Sequence, residues 1–135
     1  MSKREHPFPR RPKPDFEPSA EWINSKELQT IDLIVGSGRE LLDAAPPGMT
    51  IFVDYICFDA ETSFELESTW ESPKEFEFPA GSLIDGWAEG LLGAKEGGRR
   101  ILICPPDFAY GGLGFGHPKS GRTLVYLVDL AEVTA

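Results

Sequence analysis

The sequence predicts an α+β fold in which five or six antiparallel strands pack against one short helix. Apolar and polar residues alternate in most runs after residue 27, which is the pattern of strands with one buried face. Clusters of Gly and Pro separate these runs and mark turns between them. One segment, residues 80–93, has helical spacing instead, and strand-like runs flank it on both sides. A single helix in that position would cover one face of the sheet.

Six runs of the chain have the composition of strands, and most of them are bounded by turn residues. The run 50–58 is apolar on nearly both faces, interrupted only by Asp54, which indicates a strand buried on both sides. In the run 74–78, Phe76 and Phe78 alternate with glutamates and should point inward. The predicted strands are residues 28–35, 50–58, 63–70, 74–78, 99–104 and 123–133.

The helix predicted over residues 80–93 is amphipathic. Ser82 has the residue type of an N-cap. Gly86, inside the helix, costs about 1 kcal/mol against Ala, so we expect some group to approach the backbone beside Trp87 closely. The apolar stripe, with spacing i, i+3, i+4 and i+7, is formed by Ile84, Trp87, Ala88 and Leu91.

The first 25 residues differ in composition from the rest of the chain. They contain five prolines, and residues 1–14 carry five Lys or Arg and one acidic residue. We predict a basic, Pro-rich arm over residues 1–25, disordered or extended, followed by one domain over residues 26–135. The whole chain has a net charge of −9. An acidic domain argues against nucleic acids and anionic membranes as its partners.

Two features favour a reducing, cytoplasmic location. Cys57 and Cys104 both lie in apolar strand patterns, where a free cysteine behaves as a small hydrophobe. The start of the chain has no apolar leader segment, and no apolar run reaches the length that crosses a membrane. We therefore expect a cytoplasmic protein without a membrane partner.

Conventional catalytic sets are missing from the sequence. His117 lies in a Gly-rich loop, residues 107–121, and has no nucleophile or metal-ligand partner at a suitable spacing. We expect neither a metal nor a cofactor. Aromatic residues on inward strand faces usually form core, but a long loop with aromatic residues could open that core into an apolar pocket. The candidates are Tyr55, Phe64, Phe76, Phe78, Trp87, Phe108, Tyr110, Phe115 and Tyr126.

Several motifs in consistent order resemble those of the FKBP-type peptidyl-prolyl cis–trans isomerases. They are Tyr55, Phe64, Phe76-Glu77-Phe78, the segment Leu83-Ile84-Asp85-Gly86-Trp87, the segment Pro106-Asp107-Phe108-Ala109-Tyr110-Gly111 and Thr123-Leu124-Val125-Tyr126. The resemblance covers residues 28–133. It implies an antiparallel five- to six-stranded half-barrel sheet wrapped around one short helix. The implied activity is rotation of X-Pro bonds without a cofactor, and the implied role is that of a protein-folding helper.

The resemblance also implies roles for individual residues. Trp87 would form the floor of a proline pocket, and the backbone N–H of Ile84 and the hydroxyl of Tyr110 would donate to substrate carbonyls. Gly86 would let a substrate backbone approach. The catalytic set would be Tyr55, Phe64, Glu65, Trp87, Tyr110 and Tyr126. The substrate contacts would be Phe76, Phe78, Leu83, Ile84, Phe108, Phe115, His117 and Trp70. The implied partners are proline-containing peptides or proteins and rapamycin-like macrolides, bound by a monomer.

Such a site suits a reaction in which no covalent bond changes. The barrier is the ~18–20 kcal/mol of amide resonance, and a water-poor pocket withholds hydration from the planar, more polar ground state. The chain differs from the family pattern at Glu65, at Trp70 and in residues 111–122. These differences keep open a catalytically weak binding module for a proline-containing peptide, a partner protein or a small apolar ligand. An enzyme acting on a small apolar molecule is a third hypothesis.

Overall fold

One antiparallel sheet of six strands carries a short helix on one face, as predicted. The structure, a computed structural model, describes residues 8–41, 49–79, 84–109 and 121–134. The strands are β1 Gln29–Ile34, β2 Thr50–Asp59, β3 Glu65–Ser68, β4 Phe76–Pro79, β5 Arg99–Cys104 and β6 Leu124–Thr134, and the helix is α1 Asp85–Gly90. Short 3-10 turns cover Ala20–Asn24, Thr69–Glu71 and Pro106–Phe108.

The strand order is β1-β5-β6-β2-β3, and β4 also pairs with β2. Two strands therefore share the outer edge of β2. β3 pairs with residues 56–58 of β2, and β4 pairs with residues 50–53. Asp54 and Tyr55 lie between the two pairings, where the turn Thr69–Glu71 packs against β2.

The sheet is buried on both faces along much of its length. The inner face, against α1, carries Val53 and Cys57 of β2. The outer face carries Ile56 and Phe58 of the same strand. The prediction that residues 50–58 form a strand buried on both sides is confirmed, because period-two alternation sends apolar residues to two separate clusters.

The helix is shorter than predicted. It begins at Asp85 with Ile84, in an extended backbone conformation, as the N-cap residue. The predicted N-cap, Ser82, lies outside the described residues, and that prediction is wrong because the helix starts later. The stripe itself is present, since Trp87 and Leu91 are 4% and 1% exposed. Carbonyl groups at the C-terminal end of a helix lack a backbone donor four residues later in that helix. At this end of α1, the Arg100 guanidinium donates to the carbonyls of Gly90 and Leu92.

Gly86 is required by the protein's own packing. A Cβ atom at this position would lie 2.4 Å from the Cys104 Sγ and 2.8 Å from the carbonyl oxygen of Phe108. The predicted close approach to the helix backbone is therefore present, and the described groups that make it come from β5 and the following 3-10 turn.

One strand prediction needs correction. The run 63–70 forms a strand only from Glu65 to Ser68, because residues from Thr69 onward turn as a 3-10 helix with the Ser68 side chain at its N-cap. Phe76 pairs with Val53 and so lies on the inner face as predicted, but 42% of its surface is exposed. β4 has only four residues and pairs with β2 alone, which leaves Phe76 near the edge of the sheet.

Residues 8–24 run along the outer face of the sheet. The Phe16 ring stacks on Trp22 at 6.3 Å between centroids and contacts Phe58 at 5.6 Å. Trp70 packs against the same outer cluster, whose buried members are Ile56, Phe58, Ala60, Ile101, Ile103 and Val125. The domain boundary at residue 25 remains a prediction. Within the described ranges, no helix is long and apolar enough to cross a membrane.

Candidate active site

Four aromatic rings from four elements meet on the inner face of the sheet. The Trp87 indole of α1 lies 5.0 Å from the Tyr55 ring of β2, 5.4 Å from the Tyr126 ring of β6 and 5.8 Å from the Phe78 ring of β4, measured between centroids. Tyr55 and Tyr126 stand at 86° and 89° to the indole plane. Edge-to-face contacts of this kind add to the stabilisation from burial alone. We call these four residues the aromatic cluster.

Strand register brings the rings together. Tyr126 is the cross-strand partner of Cys57, and Phe78 is the partner of Ile51. Paired residues of an antiparallel sheet share a face, and Tyr55 lies on the face of Cys57, two residues away along β2. Three strands therefore present their rings to the stripe of α1.

Exposure increases from the base of the cluster to its edge. Trp87 and Tyr126 are 4% and 2% exposed, whereas Tyr55 and Phe78 are only partly buried. Phe76 is exposed and lies 6.2 Å from Phe78 between ring centroids. The arrangement is an apolar surface with a buried base and accessible sides, which suits an apolar ring of a ligand.

Ile84 and Phe108 come from the two segments next to the aromatic cluster in the inner core. Both are partly buried and pack against the inner core. The Ile84 carbonyl accepts hydrogen bonds from the N–H groups of Trp87 at 3.0 Å and Ala88 at 2.9 Å. Ile84 is therefore fixed at the start of the helix that carries the indole.

Two predicted site residues, Glu65 and Trp70, are directed toward the outer face, and a third, Phe64, is 72% exposed. Glu65 pairs with Phe58 in the β2–β3 register and forms an ion pair with Lys13 of the arm at 2.9 Å, which places it toward the outer face. The indole Nε1 of Trp70 donates to the carbonyl of Arg11 at 2.8 Å, and its ring packs against the outer cluster.

Glu67 is the carboxylate that sequence reasoning missed. It pairs with Cys57 in the β2–β3 register, so it lies on the face of Tyr55 and is partly buried. A register shift between Cys57 and Phe58 adds one residue to β3. One extra residue reverses which face each following side chain occupies. The resemblance implied Glu65 because it is the acidic residue directly after Phe64, and the bulge places Glu67 on the face of Tyr55 instead.

The remaining predicted residues, Leu83, Tyr110, Phe115 and His117, lie outside the described residues. Their proposed roles rest on the sequence.

The described part of the site offers apolar surface rather than reactive groups. Burial raises the pKa of the Cys104 thiol to about 12, with a smaller contribution from Cys57. The thiol is therefore neutral near pH 7 and a poor nucleophile. Among the residues that the structure describes, no three His, Cys, Asp or Glu side chains are grouped so that they could hold a metal ion.

Comparison of the sequence with known proteins identifies the family of this chain. A family model described as FKBP-type peptidyl-prolyl cis-trans isomerase matches residues 43–131. The "Probable FK506-binding protein" of Corynebacterium glutamicum is 48% identical over 105 residues, covering 78% of this chain and 86% of the relative. An FK506-binding protein of Streptomyces anulatus is 36% identical over 130 residues, covering 91% and 97%.

A solved structure shares the fold. The crystal structure of FkpA from Escherichia coli superposes with a TM-score of 0.68 at 28% identity. The match covers 83% of this chain and half of the FkpA chain.

Proposed function

The chain belongs to the family of FKBP-type peptidyl-prolyl cis–trans isomerases, and we propose that it turns X-Pro bonds over the indole of Trp87. The observation that carries this placement is the arrangement of Tyr55 and Tyr126 nearly perpendicular to that indole. Walls perpendicular to a flat floor leave a slot in which the apolar proline ring packs with little water around it. Membership of the family favours an enzyme over the binding module, and over an enzyme for small apolar molecules.

The mechanism follows from the polarity of the amide bond. A planar X-Pro amide is stabilised by resonance that places negative charge on its carbonyl oxygen, and water solvates that charge. Rotation to the twisted state removes the resonance and much of the charge. An apolar slot cannot replace the hydration that the planar amide loses on binding. It therefore lowers the free-energy difference between the planar and the twisted amide, which is the barrier to rotation.

The residues divide this work between them. We propose Trp87 as the floor, Tyr55, Phe78 and Tyr126 as walls, and the exposed Phe76 as a contact for the residue next to proline. The Ile84 N–H is proposed as a donor to a substrate carbonyl, since Ile84 opens α1 and its position is fixed by that helix.

Roles for five further residues are proposed on the sequence and on the new placement of Glu67. The Tyr110 hydroxyl is proposed as a second donor to substrate, and Leu83, Phe115 and His117 as rim contacts. Glu67 replaces Glu65 as the proposed carboxylate beside Tyr55, because the strand register places it on that face.

The placement is tested by truncating one indole on each face of the sheet. Burial of a medium-sized apolar side chain contributes about 1.5–3 kcal/mol, so Trp87→Ala should lower kcat/KM for an Ala-Leu-Pro-Phe peptide at least about tenfold. Exchange NMR measures the rate of cis–trans interconversion. Trp22→Ala, on the outer face, is the matched control and should retain the wild-type rate while folded. Equal losses in the two variants would remove Trp87 from the floor.

Macrolide binding is proposed for the same pocket. Two relatives carry names that state FK506 binding, and a rapamycin-like macrolide presents an apolar ring like that of proline. Titration with such a macrolide should inhibit peptide exchange stoichiometrically in the wild type. Binding that leaves peptide exchange unchanged would place the macrolide elsewhere.

The physiological setting is also a proposal. We propose a cytoplasmic monomer that assists folding of proteins limited by proline isomerisation, since uncatalysed isomerisation takes tens to hundreds of seconds. Refolding of a protein with a slow proline phase should accelerate when catalytic amounts are added. Sedimentation equilibrium tests the monomer, and cell fractionation tests the compartment.

A further inference from the structure

Arg10 of the arm binds a buried carboxylate on the outer face of β2. Its Nε and Nη2 atoms donate to the two carboxylate oxygens of Asp54 at 2.8 and 2.9 Å, a bidentate pair. The Asp54 side chain is only 3% exposed. A carboxylate buried to this extent requires a charged or hydrogen-bonding partner, and the arm supplies one.

The same guanidinium also holds the 3-10 turn that follows β3. Nη1 donates to the carbonyl of Ser72 at 2.9 Å, and Nη2 donates to the carbonyl of Thr69 at 3.1 Å. One side chain of the arm therefore joins β2 to the two ends of the turn Thr69–Glu71.

Thr69 extends this set of hydrogen bonds to a wall of the pocket. Its hydroxyl donates to Asp54 at 2.6 Å and accepts from the backbone N–H of Tyr55 at 2.9 Å. Thr69 is 1% exposed, so bulk water does not compete for these bonds. The ring of Tyr55 lies on the opposite face of the strand, in contact with Trp87.

The topology explains why this point of β2 needs an anchor. Asp54 and Tyr55 fall between the residues that pair with β3 and those that pair with β4. β3 itself is short and contains a bulge. A side-chain hydroxyl thus takes the place of a strand carbonyl beside Tyr55, and its orientation depends on Asp54 and Arg10.

We propose that Arg10 and Thr69 are positioning residues of the isomerase: they hold Tyr55 against Trp87 and hold β3, which carries Glu67, against β2. The inference rests on the proposed function, because it takes the pocket over Trp87 as the place of reaction. The hydrogen bonds of both residues run along the outer face, so they act through Tyr55 and β3.

The experiment compares two bidentate pairs on the same face. Arg10→Gln breaks the pair with Asp54, and the matched control Arg99→Gln breaks the pair with Asp129, whose two bonds measure 2.6 and 2.9 Å. Thr69→Val removes the hydroxyl, and Thr69→Ser retains it. Exchange NMR at several peptide concentrations separates kcat from KM, and a 15N–1H spectrum reports the Tyr55 amide.

Arg10→Gln and Thr69→Val should lower kcat about five- to tenfold with little change in KM. A displaced Tyr55 ring would disturb the orientation of the bound X-Pro bond more than it weakens substrate binding. Both variants should shift the Tyr55 amide resonance, and in Thr69→Val that amide should exchange faster with solvent. Thr69→Ser should restore kcat and the resonance. Arg99→Gln should lose stability without the loss in kcat.

Equal effects of Arg10→Gln and Arg99→Gln on kcat, or an unmoved Tyr55 amide, would overturn the inference. If Arg10→Gln does not fold, the comparison of Thr69→Val with Thr69→Ser decides it alone. Absence of isomerase activity in the wild type would refute the proposed site. The positioning role would still be tested by the Tyr55 amide resonance and by the nuclear Overhauser contact between Tyr55 and Trp87.

Discussion

The inner and outer faces of the sheet both gather aromatic residues, but the chain covers the two faces differently. On the inner face, the helix Asp85–Gly90 buries Trp87 and leaves Tyr55 and Phe78 partly exposed. On the outer face, Phe16 and Trp22 of the arm close over Phe58, which is 4% exposed. Aromatic content and partial exposure are therefore similar, and the two faces differ in what covers them: a helix on the inner face and the extended arm on the outer face.

The polar groups follow the same division. The outer face holds two bidentate Arg–Asp pairs, Arg10 with Asp54 and Arg99 with Asp129, and their aspartates are direct cross-strand partners. Hydrogen bonding to Asp54 and to Asp129 raises the pKa of the respective arginine, which keeps both guanidinium groups charged. The outer face therefore combines apolar packing with largely buried ion pairs, whereas the rings of the inner face pack against one another.

The largest expected effect comes from opening the outer face. Phe58→Ala should lower the free energy of unfolding by about 3–5 kcal/mol, because it removes a buried ring beneath Phe16 and leaves a cavity. Urea denaturation measures the loss. The folded fraction should keep the wild-type kcat/KM, since Phe58 does not face the aromatic cluster.

A reduction of kcat/KM in folded Phe58→Ala comparable to that of Trp87→Ala would break the distinction between the faces. Phe58→Leu, which loses less volume, provides the same comparison if the alanine variant is too unstable to study.

A smaller effect is expected where α1 meets β5. Gly86→Ala should destabilise by about 1–3 kcal/mol, because the new methyl group overlaps the Cys104 Sγ and the Phe108 carbonyl. Cys104→Ala should relieve part of this cost, so the double variant should be more stable than the sum of the single effects predicts.

Glu89→Ala, at an exposed position of the same helix, is the control for helix propensity. Strict additivity of the Gly86 and Cys104 substitutions would show that the contact with Sγ does not set the cost.

The smallest effect belongs to the exposed end of the arm. Lys13 and Glu65 form an ion pair whose side chains are 39% and 34% exposed. Lys13→Ala should therefore cost only about 0.2–1 kcal/mol, and 1 M NaCl should abolish the difference from wild type. If Lys13→Ala lowered the free energy of unfolding as much as Arg10→Gln does, the buried Arg10–Asp54 pair would not be the main attachment of the arm.

The strands and the strand rings of the aromatic cluster could be predicted from the sequence because both depend on local alternation. In the run 50–58, alternate residues belong to opposite faces of the strand. Once one inner-face residue is known, the same alternation places Tyr55 on the inner face. The helix stripe was also visible, although its first turn was not, since Ile84 has no side-chain capping group to mark the start.

What failed depends on contacts between distant residues. The bulge in β3 places Glu67, and not Glu65, on the face of Tyr55, and only the pairing with β2 reveals it. The neighbour of Gly86 is Cys104, which belongs to another element. The role of Arg10 was hidden because a Pro-rich basic segment has the composition of a disordered tail, whereas the acceptor that orders it, Asp54, is 44 residues away.

The separation between the arm and its binding sites has a consequence for synthesis. Arg11 donates to the carbonyl of Gly97, which is 86 residues later in the chain. The arm is synthesised before its acceptors, and the strands β5 and β6, which complete the outer cluster, follow it. Contacts of this sequence range form slowly, so the outer cluster is complete only after β6 has been made. The arm is therefore made before the strands that it covers.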